Sequence, residues 1–139
     1  MKVREIMTGN PATCTPETPL QDVARTMEER DCGSLPIVTA GGTGIVGIVT
    51  DRDIAIRAVA KGCNPLELTA ESCMTSPGVT ITDEADVDEC LKLMETNKIR
   101  RVPVVDAQGR LVGIVAQADI ARHESRRETG ELVRDLSEP

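Results

Sequence analysis

Hydrophobic residues recur along this chain at two spacings, helical and strand-like, and the two spacings appear twice in the same order. Residues 18–30 place Leu20, Val23, Ala24 and Met27 on one face of a helix. Thr18 is the expected N-cap of that helix, with Pro19 at the first helical position and Gln21 completing a capping box. Two short runs rich in Val and Ile follow, Leu35–Thr39 and Ile45–Thr50, separated by the glycine-bearing segment 40–44. That is the signature of a hairpin. Residues 51–61 read as a second helix closing at Lys61-Gly62, a basic last turn followed by a glycine. The same series then restarts. Residues 84–97 carry Val87, Cys90, Leu91 and Met94 on one stripe, Val102–Asp106 and Leu111–Ala116 flank Gln108-Gly109, and 117–127 read as the last helix. Stripes of this kind are core faces.

The repetition reaches the residues themselves. From Val46 and Val112 onward, seven of ten positions match at an offset of 66, through Gly47-Ile-Val-Thr-Asp-Arg-Asp-Ile-Ala55 and Gly113-Ile-Val-Ala-Gln-Ala-Asp-Ile-Ala121. Upstream the offset is 67. Met7-Thr8 answers Met74-Thr75, Thr13 answers Thr80, Met27-Glu28 answers Met94-Glu95, and Leu35-Pro36-Ile37-Val38 answers Val102-Pro103-Val104-Val105. The one-residue shift falls in the glycine loop, where a turn between strands tolerates it. The chain therefore divides into two related units, 1–62 and 63–127, with 62–73 as the link and a charged tail at 128–139. Leu132, Val133 and Leu136 give the tail one weak helical stripe, expected either to dock or to fray. A unit of roughly 60–65 residues is marginal as an independent core, so the two are expected to bury faces against each other. The fold class expected is mixed α+β.

Composition narrows what such a pair can bind. The chain has no Phe, Tyr or Trp, so its core is aliphatic and any bound base rests on aliphatic side chains and backbone. Single-stranded nucleic acid, usually held on aromatic platforms, fits poorly. A net charge of −7 disfavours duplex DNA and anionic membranes. An anionic small ligand would need a local basic cluster, and Lys98-Ile-Arg-Arg101 is the densest one. Five dispersed cysteines without a C-x-x-C pair, no secretory segment and no long apolar run point to a reduced, cytoplasmic setting. One histidine, His123, and no ligand-like spacing speak against zinc. Gly42-Thr-Gly-Ile-Val-Gly47 matches G-x-G-x-x-G in form only. It runs from a turn into a strand, whereas a dinucleotide site needs those glycines to open a helix.

Thr50 and Asp53 carry more chemistry. They stand at i and i+3 where a strand hands over to a helix, the arrangement of a capping box. In the second copy Ala116 replaces the threonine and Asp119 remains, so the reciprocal cap is expected to be lost. Dipole stabilisation alone would retain the acid weakly. A carboxylate here also suits the vicinal hydroxyls of a ribose, and the Thr50 hydroxyl and the N–H groups of the helix suit phosphate.

At these residues the chain resembles a tandem pair of cystathionine β-synthase (CBS) domains, a Bateman module. The resemblance rests on the ordered combination of Met-Thr lead-in, helix, Leu-Pro-Ile-Val or Val-Pro-Val-Val strand and Gly-Ile-Val-Thr-Asp-Arg-Asp, and covers essentially all of residues 1–125. It implies two β-α-β-β-α units related by a pseudo-twofold, packed through their sheets, with a cleft for adenosyl ligands between them. By that analogy Thr50 and Asp53 face Val79, Thr80 and Ile81, while Asp119 faces Ala12, Thr13 and Cys14. Arg101 is the analogous phosphate contact, and Ser34 holds the same place in the first unit. The two sites are therefore expected to be unequal, one with Thr50, Asp53 and Ser34, the other with Asp119 and Arg101 but no hydroxyl at Ala116, and Thr50/Asp53 is favoured for ribose.

The function implied is a non-catalytic regulatory, energy-sensing module taking AMP, ADP, ATP or S-adenosylmethionine, with no required cofactor. Its partners are the small ligand, a second copy in a homodimer, and a regulated protein. The alternative is a dimeric assembly module whose cleft is vestigial. Enzyme chemistry has little support. His123 sits near a helix end, and the acidic run Asp83–Glu89 reads as a helix start rich in acids. A redox role for Cys14 lacks any environment that would lower its pKa.

Overall fold

The two stripes fold as matching helices and the Val/Ile runs as matching hairpins. In the computed structural model these are α1 (Leu20–Arg30), β2 (Ser34–Val38) and β3 (Ile45–Thr50), answered by α3 (Val87–Asn97), β5 (Arg101–Val105) and β6 (Leu111–Ala116). Two short strands, β1 (Thr8–Gly9) and β4 (Ile81–Thr82), precede them in each half, and α2 (Asp51–Ile54) and α4 (Gln117–Ser137) close them. The structure describes the chain apart from residues 40, 42, 43, 77, 138 and 139, and beyond residue 127 the backbone only. Residues 40, 42 and 43 of the turn between β2 and β3 fall outside the described residues, while residues 44–47 of the G-x-G-x-x-G match run into β3 and open no helix.

Each hairpin is antiparallel, and the registers correspond. Ser34 pairs with Thr50 as Arg101 pairs with Ala116, and each ladder shifts near its far end, at Ile37/Val38 and Val104/Val105. The second sheet has the order β1-β6-β5-β4, with β4 parallel to β5. Its outer strand β1 comes from the opposite end of the chain. Thr8 pairs with Ile114 and Gly9 with Gly113. The first hairpin is flanked in the same way by single bridges, Thr75 to Ile48 and Cys14 to Ile37. The Met-Thr lead-in of each sequence half thus pairs with the hairpin of the other.

The exchange goes beyond the sheets. Leu20 N–H donates to the Leu68 carbonyl (2.9 Å), and Val87 N–H to that of Met1 (2.9 Å). Ala70 N–H reaches Thr18 O (2.9 Å) as Val3 N–H reaches Ala85 O (2.8 Å). These bonds explain a departure from the sequence reading. No side chain caps α1, and Pro19 stands at its N-cap. The Thr18 hydroxyl instead accepts from Thr15 N–H (2.9 Å). The Thr18/Gln21 capping box does not form, because a backbone carbonyl from the other lead-in already meets the free N–H of the first turn.

The aliphatic core follows the same division. One cluster gathers Leu20, Val23, Met27, Leu35, Ile37 and Val49 with Ala70 and Cys73; the other gathers Val87, Cys90, Met94, Val102, Val104 and Val115 with Val3. Each core is completed by a segment lying far away in sequence. At both crossings glycine lets the backbones touch. A Cβ at Gly47 would lie 2.3 Å from the Thr75 carbonyl oxygen, and one at Gly113 2.9 Å from that of Thr8. The glycine of Gly-Ile-Val is therefore a close-approach residue.

Two helices differ from their sequence readings. The second helix, read as 51–61, is α-helical only to Ile54 and continues as a π-helix over Ala55–Val59, with Ala60 N–H bonded to Ala55 O (2.8 Å). It closes at Gly62, whose φ is +76°, as the Lys61-Gly62 signal implied. The last helix does not stop at 127. Its backbone runs on to Ser137, so the stretch read as a tail continues α4, though its Leu132, Val133 and Leu136 side chains lie outside the described residues.

Replacing Gly47 with Ala is expected to cost about 1–3 kcal/mol, as overpacking against a backbone atom does. Gly113→Ala should cost less, because its nearest obstruction includes the flexible Met7 side chain. Urea unfolding of the two variants checks both the loss and its order.

Candidate functional site

The strand-to-helix junction after β3 is built as a reciprocal cap. Thr50 N–H donates to Asp53 Oδ2 and Asp53 N–H donates to Thr50 Oγ1, each at 3.0 Å. One Asp53 oxygen is thereby fixed on the backbone. The other, Oδ1, has the Arg57 Nε 3.8 Å away. Arg57 in turn donates to the carbonyl of Met74 (2.9 Å), so the carboxylate is tied through one guanidinium to the incoming lead-in.

At the second junction Ala116 supplies no hydroxyl, yet half of the cap survives. Ala116 N–H donates to Asp119 Oδ2 (2.9 Å), and Arg122 pairs with the other oxygen. The persistence of Asp119 therefore has a local structural cause. The reciprocal cap is lost with the threonine, as expected, but one of its two bonds remains.

Between the halves lies a cavity of about 930 Å³, within the size range of small-molecule sites. Its floor comes from β3 and the start of α2, with Ile48, Thr50, Asp51, Arg52 and Asp53. Thr75, Gly78 and Val79 line one side, and Lys98 to Arg101 with Pro103 line another. Ala116, Gln117, Ala118 and Ala121 complete it. Four of the residues singled out in the sequence thus meet here: Thr50, Asp53, Val79 and Arg101. The analogy had assigned Thr50 and Arg101 to different sites, and in the structure they line the same cavity.

The remaining seven do not line it. Ser34 pairs with Thr50 on the adjacent strand, and Ile81 is buried in the second core beside Val104. Cys14 is buried in the first core, bridged to Ile37, with Ala12 packed against the same cluster. Thr13 is exposed and Thr80 half-buried in the segments before Cys14 and Ile81. Asp119 is held by Ala116 and Arg122. Arg52, Gln117 and Ala118 line the cavity without having been singled out. They stand inside the two repeated motifs, between Thr50 and Asp53 and between Ala116 and Asp119, while Lys98 and Arg100 belong to the basic run.

Arg101 leans across the cleft onto the first half. A Cβ at Gly33 would come within 2.9 Å of its Nη2 and within 2.9 Å of Asp51 Oδ2. The absence of a side chain at Gly33 makes room for that guanidinium. The buried thiols offer no comparable chemistry. Burial pushes Cys14 and Cys90 from 9.0 up to about 11, which keeps them protonated and unreactive. His123 lines a separate hollow of about 200 Å³ with Asp86, Asp88 and Glu124, where no hydroxyl or thiol joins it. Among the described residues no group of three or more His, Cys, Asp or Glu side chains is disposed to hold a metal ion.

A duplicated hairpin-and-helix unit with a cleft between the copies defines a paired, ligand-module type of architecture, and comparison with known proteins gives it a family. The CBS domain pattern matches residues 3–59 and again 70–126, and the chain belongs to the CBS domain family. It is 40% identical over 121 residues to protein MK0525 of Methanopyrus kandleri, covering 87% of this chain and 59% of that longer protein. Among solved structures, the CBS domain pair of protein MJ0100, in complex with 5′-methylthioadenosine and S-adenosyl-L-methionine, superposes with a TM-score of 0.82 at 32% identity. That match covers 91% of this chain and 98% of the other. Hypoxic Response Protein I, solved with two coordinated zinc ions, matches at 39% identity and a TM-score of 0.75, over 88% and 98% of the two chains.

Two measurements check this geometry. Thr50→Ala is expected to lower stability by about 0.5–2 kcal/mol, and Ala116→Thr to raise it by completing the second cap. Alkaline unfolding checks the thiols. With both thiols raised to about 11, the folded chain keeps protons that the unfolded chain releases near 9.0. This contribution is complete below about pH 9 and is lost as pH climbs toward 11. A Cys14→Ala/Cys90→Ala variant should show a shallower fall in melting temperature over that interval.

Proposed function

We propose that the chain is a non-catalytic regulatory, energy-sensing module of the cytoplasm. It binds an adenosyl ligand, AMP, ADP, ATP or a relative such as S-adenosylmethionine, in the cleft between its repeats. The observation that carries this reading is the convergence of Thr50, Asp53, Val79 and Arg101 on one cavity. Asp53 keeps one oxygen outside the helix cap, available to accept from the vicinal hydroxyls of a ribose. Ile48, Val79, Ile99 and Pro103 offer the aliphatic walls that a base needs in a chain without aromatic residues. Arg101 supplies a guanidinium for phosphate. The adenosyl ligands of the related MJ0100 pair support the choice. Among the described residues no helix is long and apolar enough to cross a membrane.

A second reading, a dimeric interaction or assembly module whose cleft is vestigial, draws on one feature. Ile56 and Val59, three residues apart on the helix after β3, are 48% and 60% exposed. Burying such a face is how helices commonly pair. Sedimentation is expected to show a dimer that Val59→Glu converts to monomer; a monomeric wild-type chain would remove this reading.

Ligand binding is read by thermal shift. A ligand at one hundred times its Kd is expected to add about 2.7 kcal/mol to stability. Asp53→Ala should lower the starting melting temperature through the lost cap and abolish the ligand-dependent increment. If AMP, ADP, ATP and S-adenosylmethionine at millimolar levels all leave the wild-type melting temperature unchanged, the adenosyl reading fails.

A further inference from the structure

We propose that the cleft selects a nucleotide carrying more than one phosphate, bound once per chain, with Arg52, Lys98 and Arg100 cradling the phosphates beyond the one met by Arg101. The inference rests on the adenosyl reading and narrows it to a polyanionic ligand.

The cavity is a basic site on an acidic protein. Arg52, Lys98, Arg100 and Arg101 line it against only two carboxylates, Asp51 and Asp53, while the whole chain carries a net charge of −7. Some cations elsewhere find acids, although Arg25, Arg30, Lys61 and Lys92, dispersed over the surface, also form no ion pair with a described residue. Arg4, Arg57, Arg110 and Arg122 each pair with a carboxylate. The four cavity cations form no ion pair with any described residue, although 23 acidic residues are present. Like charges grouped without partners repel one another, and a bound polyanion relieves that repulsion.

The fold itself does not require them. The pseudo-symmetric counterparts of Lys98, Arg100, Arg101 and Arg52 are Asp31, Gly33, Ser34 and Ala118, which hold no cation and one acid. Lys98 and Asp31 end their helices in the same left-handed conformation, φ 54° and 50°, so that position accepts either charge. Arg100 and Gly33 each give a carbonyl to the helix that follows, accepting from Gln117 N–H (2.7 Å) and Asp51 N–H (2.9 Å). Their backbone roles are equal and only the side chains differ. These four cations therefore gather on one side of the pseudo-twofold, which sets the number of polyanions at one.

This charge also separates ligand classes. A sulfonium nucleoside brings a positive centre toward four cations, and a nucleoside without phosphate leaves them unused. A monophosphate engages Arg101 and leaves three. Each further phosphate adds charge and acceptor oxygens that guanidinium and ammonium groups bind through charge-assisted hydrogen bonds.

Calorimetric titration of the full chain at fixed ionic strength, with adenosine, AMP, ADP, ATP, S-adenosylmethionine and inorganic tripolyphosphate alone, tests the proposal. Affinity is expected to rise about tenfold from AMP to ATP, the worth of one net charged hydrogen bond. One ATP should bind per chain, and S-adenosylmethionine should bind more weakly than ADP. In Arg52→Ala and Arg100→Ala the ratio of ATP to AMP affinity should collapse toward one, with circular dichroism confirming the fold. Tripolyphosphate should bind the wild type and lose affinity in both variants. AMP binding as tightly as ATP, or two ATP per chain, would overturn the proposal while leaving the adenosyl reading intact. Tripolyphosphate binding without any nucleotide binding would keep the cradle and overturn the adenosyl reading.

Discussion

Everything in this chain depends on the backbone pairing of each Met-Thr lead-in with the hairpin of the other half. Ile48 and Thr75 exchange two hydrogen bonds, at 3.1 and 2.9 Å, directly over Gly47, and Thr8 repeats the contact with Ile114 over Gly113. The side-chain-free glycine is the condition for the approach. Once the crossing is made, Ala70 and Cys73 enter one aliphatic core and Val3 enters the other. The first turns of α1 and α3 then find their acceptors on the crossing strands. Neither half is complete without the other, which fits the small core that so few residues can build.

The exchange also positions the cleft. The segment that pairs with β3 continues through Gly78 and Val79, so one side of the cavity is fixed by the same hydrogen bonds that close the sheet. Arg57 adds a direct link, holding the Met74 carbonyl and standing beside Asp53. Asp53 is thus one guanidinium away from the crossing segment. On this symmetric frame the charges are arranged without symmetry.

Much of the architecture could be read from periodicity and duplication. Both hairpins, the two amphipathic helices and the close at Gly62 follow local rules, because neighbouring residues decide them. What escaped was long-range. Thr18 and Gln21 had the local signature of a cap, but the Leu68 carbonyl, some fifty positions away, took that N–H. Ala116 appeared to abolish a cap whose backbone arm remains, since Asp119 needs only an N–H and not a hydroxyl. The sequence also separated Thr50 from Arg101, as they belong to different copies. Their meeting depends on the empty space at Gly33, which no motif records. The extension of α4 past 127 went unread because its charged residues lack a strong apolar stripe.

The crossing has a consequence for the order in which the molecule can be made. During synthesis Val3, Ile6 and Met7 emerge well before Val102, Val104 and Val115, with which they share a core. The first core can close once residues 68–74 are free. In the interval that apolar segment lacks the partners it packs with in the folded chain. Val3 is thus buried only after the far strands of the second core have been made.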